Sequence, residues 1–235
     1  MKRSWTRVEV VEGEGGWSVR LDGKPLRTPA RAELAVPTVD LAEAIAEEWR
    51  SVADEIDPRA MPLTGLANAA IDRVAPAKQT FAAGLAHYAE ADLACYRSEW
   101  PPELVDRQTA SWDPLLAWAR HRFDVDFSTT AGLMHVAQPA ATVERLTHEV
   151  AALNPYQLAG LSPLVTVGGS LVAALAVFEG AISPESGWLA VSVDDRWQIE
   201  QWGTDADAEF ALDNHRADFL AGARFIELLA SGRDR

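Results

Sequence analysis

The chain has 235 residues, room for one large domain or two small ones, and its 48% hydrophobic and 24% charged residues are those of a soluble globular protein. A formal net charge of −14 argues against a nucleic-acid or anionic-membrane partner, since both demand clustered lysine and arginine, and leaves room for a basic or amphipathic protein partner. The single cysteine, Cys95, excludes an intrachain disulfide and fits a reducing compartment; within the apolar run LACY it reads as a buried structural thiol.

The N-terminus, MKRSWTRVEVVEGEGG, has no apolar signal core and so reads as no secretory signal, and the first strand is expected to start almost at Met1. Val8 to Val11 is β-branched, Trp17 to Leu21 alternates apolar and polar, and Asp22-Gly23 is a strong hairpin signal before a returning run from Lys24 to Thr28. The opening is therefore a small antiparallel sheet. Thr38 can cap a helix reaching about Ala53, with Asp40 in its first turn and Leu41, Ile45 and Trp49 on one buried stripe. Thr64 is placed to cap a second helix, LANAAIDRV, that Pro76 ends. A turn at Val74 to Lys78 is the expected boundary between an N-terminal α/β module, residues 1–76, and a helical bundle, residues 77–235.

Lys78 to Tyr96 reads as a helix. Pro101-Pro102 breaks the chain before a short helix, and Asp113-Pro114 reads as the cap and first residue of the next, with Trp100 and Trp112 flanking the break and placed to clamp it. Trp118 falls on an apolar stripe and reads as core. Residues 127–138 read as either a short strand or a connection. Pro139 to Leu153 is helical, and Asn154-Pro155 starts another helix. The longest apolar run, Leu164 to Phe178, is interrupted by Thr166, Gly168, Gly169 and Ser170 and falls short of the roughly 20 residues of a bilayer span, so it predicts a buried central helix and no membrane insertion. Ser183-Pro184-Glu185 starts a helix. Leu189, Val191 and Val193 alternate like a strand, whereas Leu189, Val193 and Trp197 fit a helix. Thr204 is placed to cap a final helix with Ala217, Ala221 and Leu228 buried, ended by Ser231-Gly232.

No catalytic constellation is legible. Histidines 87, 121, 135, 148 and 215 lack metal-ligand spacing, Gly168-Gly169-Ser170 lacks the lysine of a phosphate loop, and no serine sits in a nucleophile elbow. The densest chemistry is DDRWQIEQWG, Asp194 to Gly203, a short helix stopped by glycine. Its helical spacing puts Asp195, Ile199 and Trp202 on one face, expected to sink a tryptophan into the domain. Trp197, Glu200 and Gln201 fall on the other, available to a partner, with Trp197 readable either as packing or as a partner contact. Asp194, Asp195 and Glu200 could serve as a carboxylate acid/base set or hold a hard cation, but five or six residues of separation spread them around the axis. Solvated acids on an exposed face are the plainer account.

Five separated segments, LDGKPLRTP, MPLTGLANAAIDRV, DLACYRSEWPPEL, WDPLLAWA and WQIEQWG, together resemble the family of F-type ATP synthase assembly chaperones that bind the free α subunit. The resemblance covers roughly Trp17 to Leu229. It implies an α+β fold, a small N-terminal antiparallel sheet with helices followed by a mainly helical bundle, and helix rather than strand across GWLAVSVDD. It implies a non-enzymatic protein without cofactor or metal that covers the α-subunit interface until β replaces it, in the bacterial cytoplasm here and in the mitochondrial matrix in eukaryotic relatives. The family's characteristic acid falls on Glu200, with Trp197, Gln201 and Asp194 beside it as partner contacts. An acidic scaffold or regulator for another partner, or a carboxylate-based hydrolase, are the other readings of the residues.

Overall fold

The computed structural model describes residues 2–132, 134–203 and 206–231. Two compact units divide the chain. The first takes in the chain up to Lys78, Asn154–Gly160 and the stretch from Arg224 on; the second takes in Gln79–Leu153 and Leu161–Ala223.

The first unit opens with the expected sheet. Strands β1 (Val8–Gly13) and β2 (Gly16–Leu21) pair antiparallel, with Val10 opposite Val19. Asp22 and Gly23 take φ of 49° and 79°, the left-handed pair that a two-residue hairpin turn needs. Strands β3 (Lys24–Pro25) and β4 (Ala35–Val36) share the other edge of β2. The return strand is shorter than the Lys24 to Thr28 run predicts, because Thr28 donates its N–H to Ala32 O and closes a tight loop. Helix α1 (Val39–Ser51) starts at Thr38, whose Oγ1 accepts from Leu41 N at 3.4 Å, and it buries Leu41, Ile45 and Trp49. Trp5, which no pattern singles out, packs at 5.1 Å between ring centroids on Trp49. Tyr156 donates to Ala35 O at 2.6 Å, and Phe225, Leu228 and Leu229 complete this core.

Thr64 is not the cap of the second helix. Helix α2 (Pro62–Ala69) begins after Met61, which has no capping side chain, and the cap comes from α1 instead. The Glu48 carboxylate accepts from Leu63 N (2.7 Å), Thr64 N (2.8 Å) and Thr64 Oγ1 (2.6 Å). Nor does Pro76 end the helix. The backbone widens to a π turn over Ala70–Val74, tightens to 3-10 over Ala75–Ala77 and continues into α3 (Lys78–Ala86). A change of hydrogen-bond register absorbs the missing proline N–H, so Val74 to Lys78 is helical rather than a turn.

In the second unit α3 stops at Ala86, well short of Tyr96. Two 3-10 turns, His87–Ala91 and Leu93–Cys95, follow, and then β5 (Tyr96–Arg97). Asp92 causes the break. Its fully buried carboxylate accepts from Ala94 N (3.0 Å), Ser170 Oγ (2.7 Å) and Val172 N (2.9 Å), local bonding that competes with helix. Burial raises the Cys95 thiol to about 12, with the neighbouring Asp92 adding to the shift.

Helix α4 (Pro102–Phe123) is one helix of 22 residues with Pro114 inside it, so Asp113 is no cap. Trp112 before the proline and Leu115, Leu116 and Ala119 after it are all buried, and this packing outweighs the break. Asp113 instead pairs with Arg97 at 2.7 Å. Trp112 donates to Ala190 O at 2.7 Å while Trp100 is exposed, so the two do not clamp a break. Trp118 is half-buried, edge-on to Phe123 at 5.4 Å. The 127–138 stretch holds β6 (Thr130–Ala131), parallel to β5.

Helices α5 (Ala140–Ala152) and α6 (Pro155–Gly168) follow. The predicted single helix from Leu164 to Phe178 is divided. Gly169, at φ 65°, ends α6, and Ser170 Oγ accepts from Ala173 N to start α7 (Leu171–Phe178), buried along Leu171 to Val177. Ser183 caps α8 (Pro184–Val191), and α9 (Val193–Trp202) stops at Gly203, so GWLAVSVDD is helical. Helix α10 (Ala206–Ala230) closes the chain. The predicted cap at Thr204 and stop at Gly232 lie outside the described residues. Ala217 is exposed rather than buried; the inward positions are Phe219 and Ala223, then Phe225 and Leu228. Among the described residues no helix is long and apolar enough to cross a membrane.

The two buried-side carboxylates make different contributions to stability. Glu48→Ala removes the acceptor at the start of α2 and is expected to cost about 1–2 kcal/mol in urea unfolding, the range of a lost N-cap. Asp92→Ala leaves buried donors unpaired and is expected to cost on the order of 3 kcal/mol. Burial holds the Asp92 carboxyl above its ordinary 3.8 despite the hydrogen bonds that pull it down. The folded state therefore binds its proton more tightly than the unfolded state, and Asp92's contribution falls as pH rises from 3.8 through the raised folded value. The stability gap between wild type and Asp92→Ala should accordingly be larger at about pH 4 than at about pH 7; a gap that widens with pH would contradict the assignment.

Candidate functional site

The rotation of α9 decides what it presents. Val193 and Trp197, four residues apart, are its two buried side chains, at 2% and 8% exposure. Trp202 is 78% exposed. The faces are therefore inverted relative to the sequence expectation. The stripe starting at Asp195 offers only Ile199 before Trp202, whereas the stripe starting at Val193 pairs an aliphatic with an indole one turn on.

Trp197 is roofed from α4. The Arg107 guanidinium lies 4.9 Å from the Trp197 ring centroid, and Arg107 Nη1 is 2.7 Å from Glu200 Oε2. Both partners of that ion pair stay half-exposed, at 45% for Arg107 and 47% for Glu200. Gln201, next along the helix, is exposed. Asp194 turns the other way and accepts from Gln108 Nε2 at 2.8 Å. Gln108 is itself buried and also accepts from Ser98 N at 2.8 Å, so Asp194 is committed to α4.

Of the four residues singled out from the sequence, Glu200 and Gln201 stand at the surface, while Trp197 and Asp194 are engaged inside the unit. Arg107 and Gln108 escape sequence reasoning. They lie some ninety residues upstream, and no spacing in the sequence couples them to α9.

The three acids do not converge. Asp194 meets Gln108, Glu200 meets Arg107, and Asp195 lies beside His215, without a common pocket. Partial burial, then the charge of Asp194, raises the Asp195 carboxyl, against the opposing pull of His215. Among the described residues no group of three or more histidine, cysteine, aspartate and glutamate side chains is placed to hold a metal ion. Glu200 and Gln201 thus form an exposed polar surface on α9 beside Arg107.

Comparison with known proteins agrees in kind. A family model described as ATP12 chaperone protein matches residues 2–120. The crystal structure of Atp12 from Paracoccus denitrificans is 42% identical, with a TM-score of 0.92 over 97% of this chain and 98% of that one. An aspartate-to-lysine mutant of P. denitrificans Atp12p is 41% identical, with a TM-score of 0.92 over 97% of each chain. The Schizosaccharomyces pombe protein named Protein atp12, mitochondrial, is 25% identical over 225 residues, 91% of this chain and 77% of that protein. The family model stops short of α9, but the structural likeness includes nearly the whole chain.

The geometry separates packing from surface. Trp197→Ala is expected to lower unfolding free energy by about 3 kcal/mol or more, as truncation of a buried tryptophan does. Glu200→Ala should cost no more than about 1 kcal/mol, the value of an exposed ion pair. Equal losses from the two in denaturant titrations would contradict the burial described.

Proposed function

We propose, since the chain belongs to the ATP12 chaperone family of ATP synthase assembly chaperones, that it holds the unassembled α subunit of the F-type ATP synthase catalytic head until the β subunit takes its place. An unassembled subunit exposes a large apolar interface, which is an aggregation hazard. The chaperone acts by binding and release in the bacterial cytoplasm, without turnover, nucleotide, metal, nucleic acid or membrane insertion.

The observation that carries this reading to particular residues is the half-exposed Glu200 carboxylate, held 2.7 Å from Arg107 on the outside of α9. An exposed ion pair is worth at most about 1 kcal/mol, so a basic side chain of the α subunit can take over Glu200 at little cost. The Arg107 guanidinium keeps its place over Trp197 when that happens, and no buried charge is left alone. Gln201 adds an exposed amide. Trp197 and Asp194 act from beneath, fixing the helix on α4. A mixed polar surface of this kind suits reversible association better than a purely apolar one. Charge reversal is also compatible with the shared fold, since the aspartate-to-lysine mutant of the Paracoccus relative aligns with this chain as closely as the other Paracoccus structure does.

Purified α subunit should stay soluble in the presence of this protein and co-elute with it. No suppression of aggregation at several-fold excess would overturn the proposal. Glu200→Lys is expected to leave the melting temperature within a few degrees of wild type and to weaken α-subunit binding at least tenfold by calorimetry. Undiminished affinity would remove Glu200 from the contact.

A further inference from the structure

The face of α9 opposite Trp197 does not end in solvent alone. With the first half of α10 it lines a cavity of about 380 Å³ with Asp195, Ile199, Trp202, Ala211, Leu212 and His215 among its walls. Trp202, 78% exposed, stands in its wall, whereas Phe210, 62% exposed, projects from α10 outside the lining. From Ala206 to Asp218 every residue of α10 except Leu212 is exposed. More than three turns of helix thus carry a phenylalanine and several alanines into solvent with almost no burial to hold them. An exposed tryptophan in the wall of an open, largely apolar cleft is a usual mark of an interaction surface.

The charges around the cleft select the occupant. Asp195, Asp207, Glu209 and Asp213 are exposed on α9 and the first turns of α10, against His215 and Arg216. A second copy of this chain would bring a net charge of −14 against the same acids, which like-charge repulsion disfavours. An anionic lipid surface is disfavoured for the same reason. A segment with apolar side chains for the cleft and lysine or arginine at its margins matches both features. We propose that this cleft receives a basic amphipathic segment of the unassembled α subunit, a contact separate from Glu200 and on the other side of α9. The assignment rests on the α subunit being the partner.

Helix-in-groove docking of this type uses a few apolar anchors and a charged rim. The variant Trp202→Ser removes the exposed anchor of the cleft without touching the core, because its side chain already faces solvent. Titrated against purified α subunit, it is expected to bind at least tenfold more weakly than wild type, with an unchanged melting temperature. A second variant, Asp207→Lys/Glu209→Lys, should reduce both the affinity and its dependence on sodium chloride concentration. Affinity of the serine variant within twofold of wild type would overturn the cleft as a docking site. So would cross-links from the Trp202 position that return this chain itself rather than the α subunit. Failure of the wild-type protein to bind the α subunit at all would instead overturn the partner, and is distinguished by that control.

Discussion

Burial of Trp197 beneath Arg107 sets the rotation of α9, and both outward surfaces of that helix follow from it. A buried indole contributes several kcal/mol through the area it removes from water, whereas the exposed Arg107–Glu200 pair contributes at most about one. The tryptophan therefore decides the orientation and the ion pair conforms to it. Once Val193 and Trp197 point inward, Asp194 reaches Gln108, Glu200 and Gln201 reach solvent beside Arg107, and Asp195, Ile199 and Trp202 face the first half of α10. A helix of ten residues thus presents two different surfaces, one charged and one apolar, from a single packing decision.

That decision is held by a buried frame in the same unit. Asp92 ties the 3-10 turn at Leu93–Cys95 to the start of α7 through Ser170 and Val172. Trp112 ties α4 to the end of α8 through Ala190 O, and Ser192 Oγ donates to Trp188 O where α8 gives way to α9. The α4 surface that seats Trp197 and the turn that delivers α9 are therefore fixed by polar contacts with defined geometry. An ionised buried carboxylate is costly to desolvate, so Asp92 is better understood as fixing one arrangement of these turns than as a source of net stability.

What could be read from the sequence was what short-range chemistry decides. Asp22-Gly23, the Thr38 and Ser183 caps and the Gly203 stop each act through atoms within a few residues, and each forms the element its type predicts. The prolines were misleading for the same reason. Pro76 and Pro114 carry a local penalty; a change of hydrogen-bond register absorbs it at the first and the burial of Trp112, Leu115, Leu116 and Ala119 outweighs it at the second, so the chain stays helical through both. Glu48 caps a helix on a different element, and Asp92 breaks one through a serine nearly eighty residues on; neither has a sequence signature. In the candidate site, the helical nature and the accessible acid of WQIEQWG were legible. The choice of buried tryptophan was not, although Val193 one turn before Trp197 was the available signal. The family resemblance rested on five segments spread over both units, and the structural likeness over 97% of the chain accounts for why those segments occur together.

The two faces of α9 also answer a difficulty in the proposed role. A chaperone for an interface must capture its subunit quickly and still yield it to the proper partner. Exposed acids speed encounter with a basic surface and are screened by salt, while desolvated apolar anchors chiefly slow dissociation. If both resided in one buried patch, strong capture would mean slow release. Here the Glu200 carboxylate and the cleft walled by Trp202 lie on separate sides of one helix, so in the proposed role an incoming subunit could displace one contact while the other still holds. On the proposed reading, loss of either contact would weaken the remainder through reduced effective concentration, and release would proceed in two smaller steps rather than one large one.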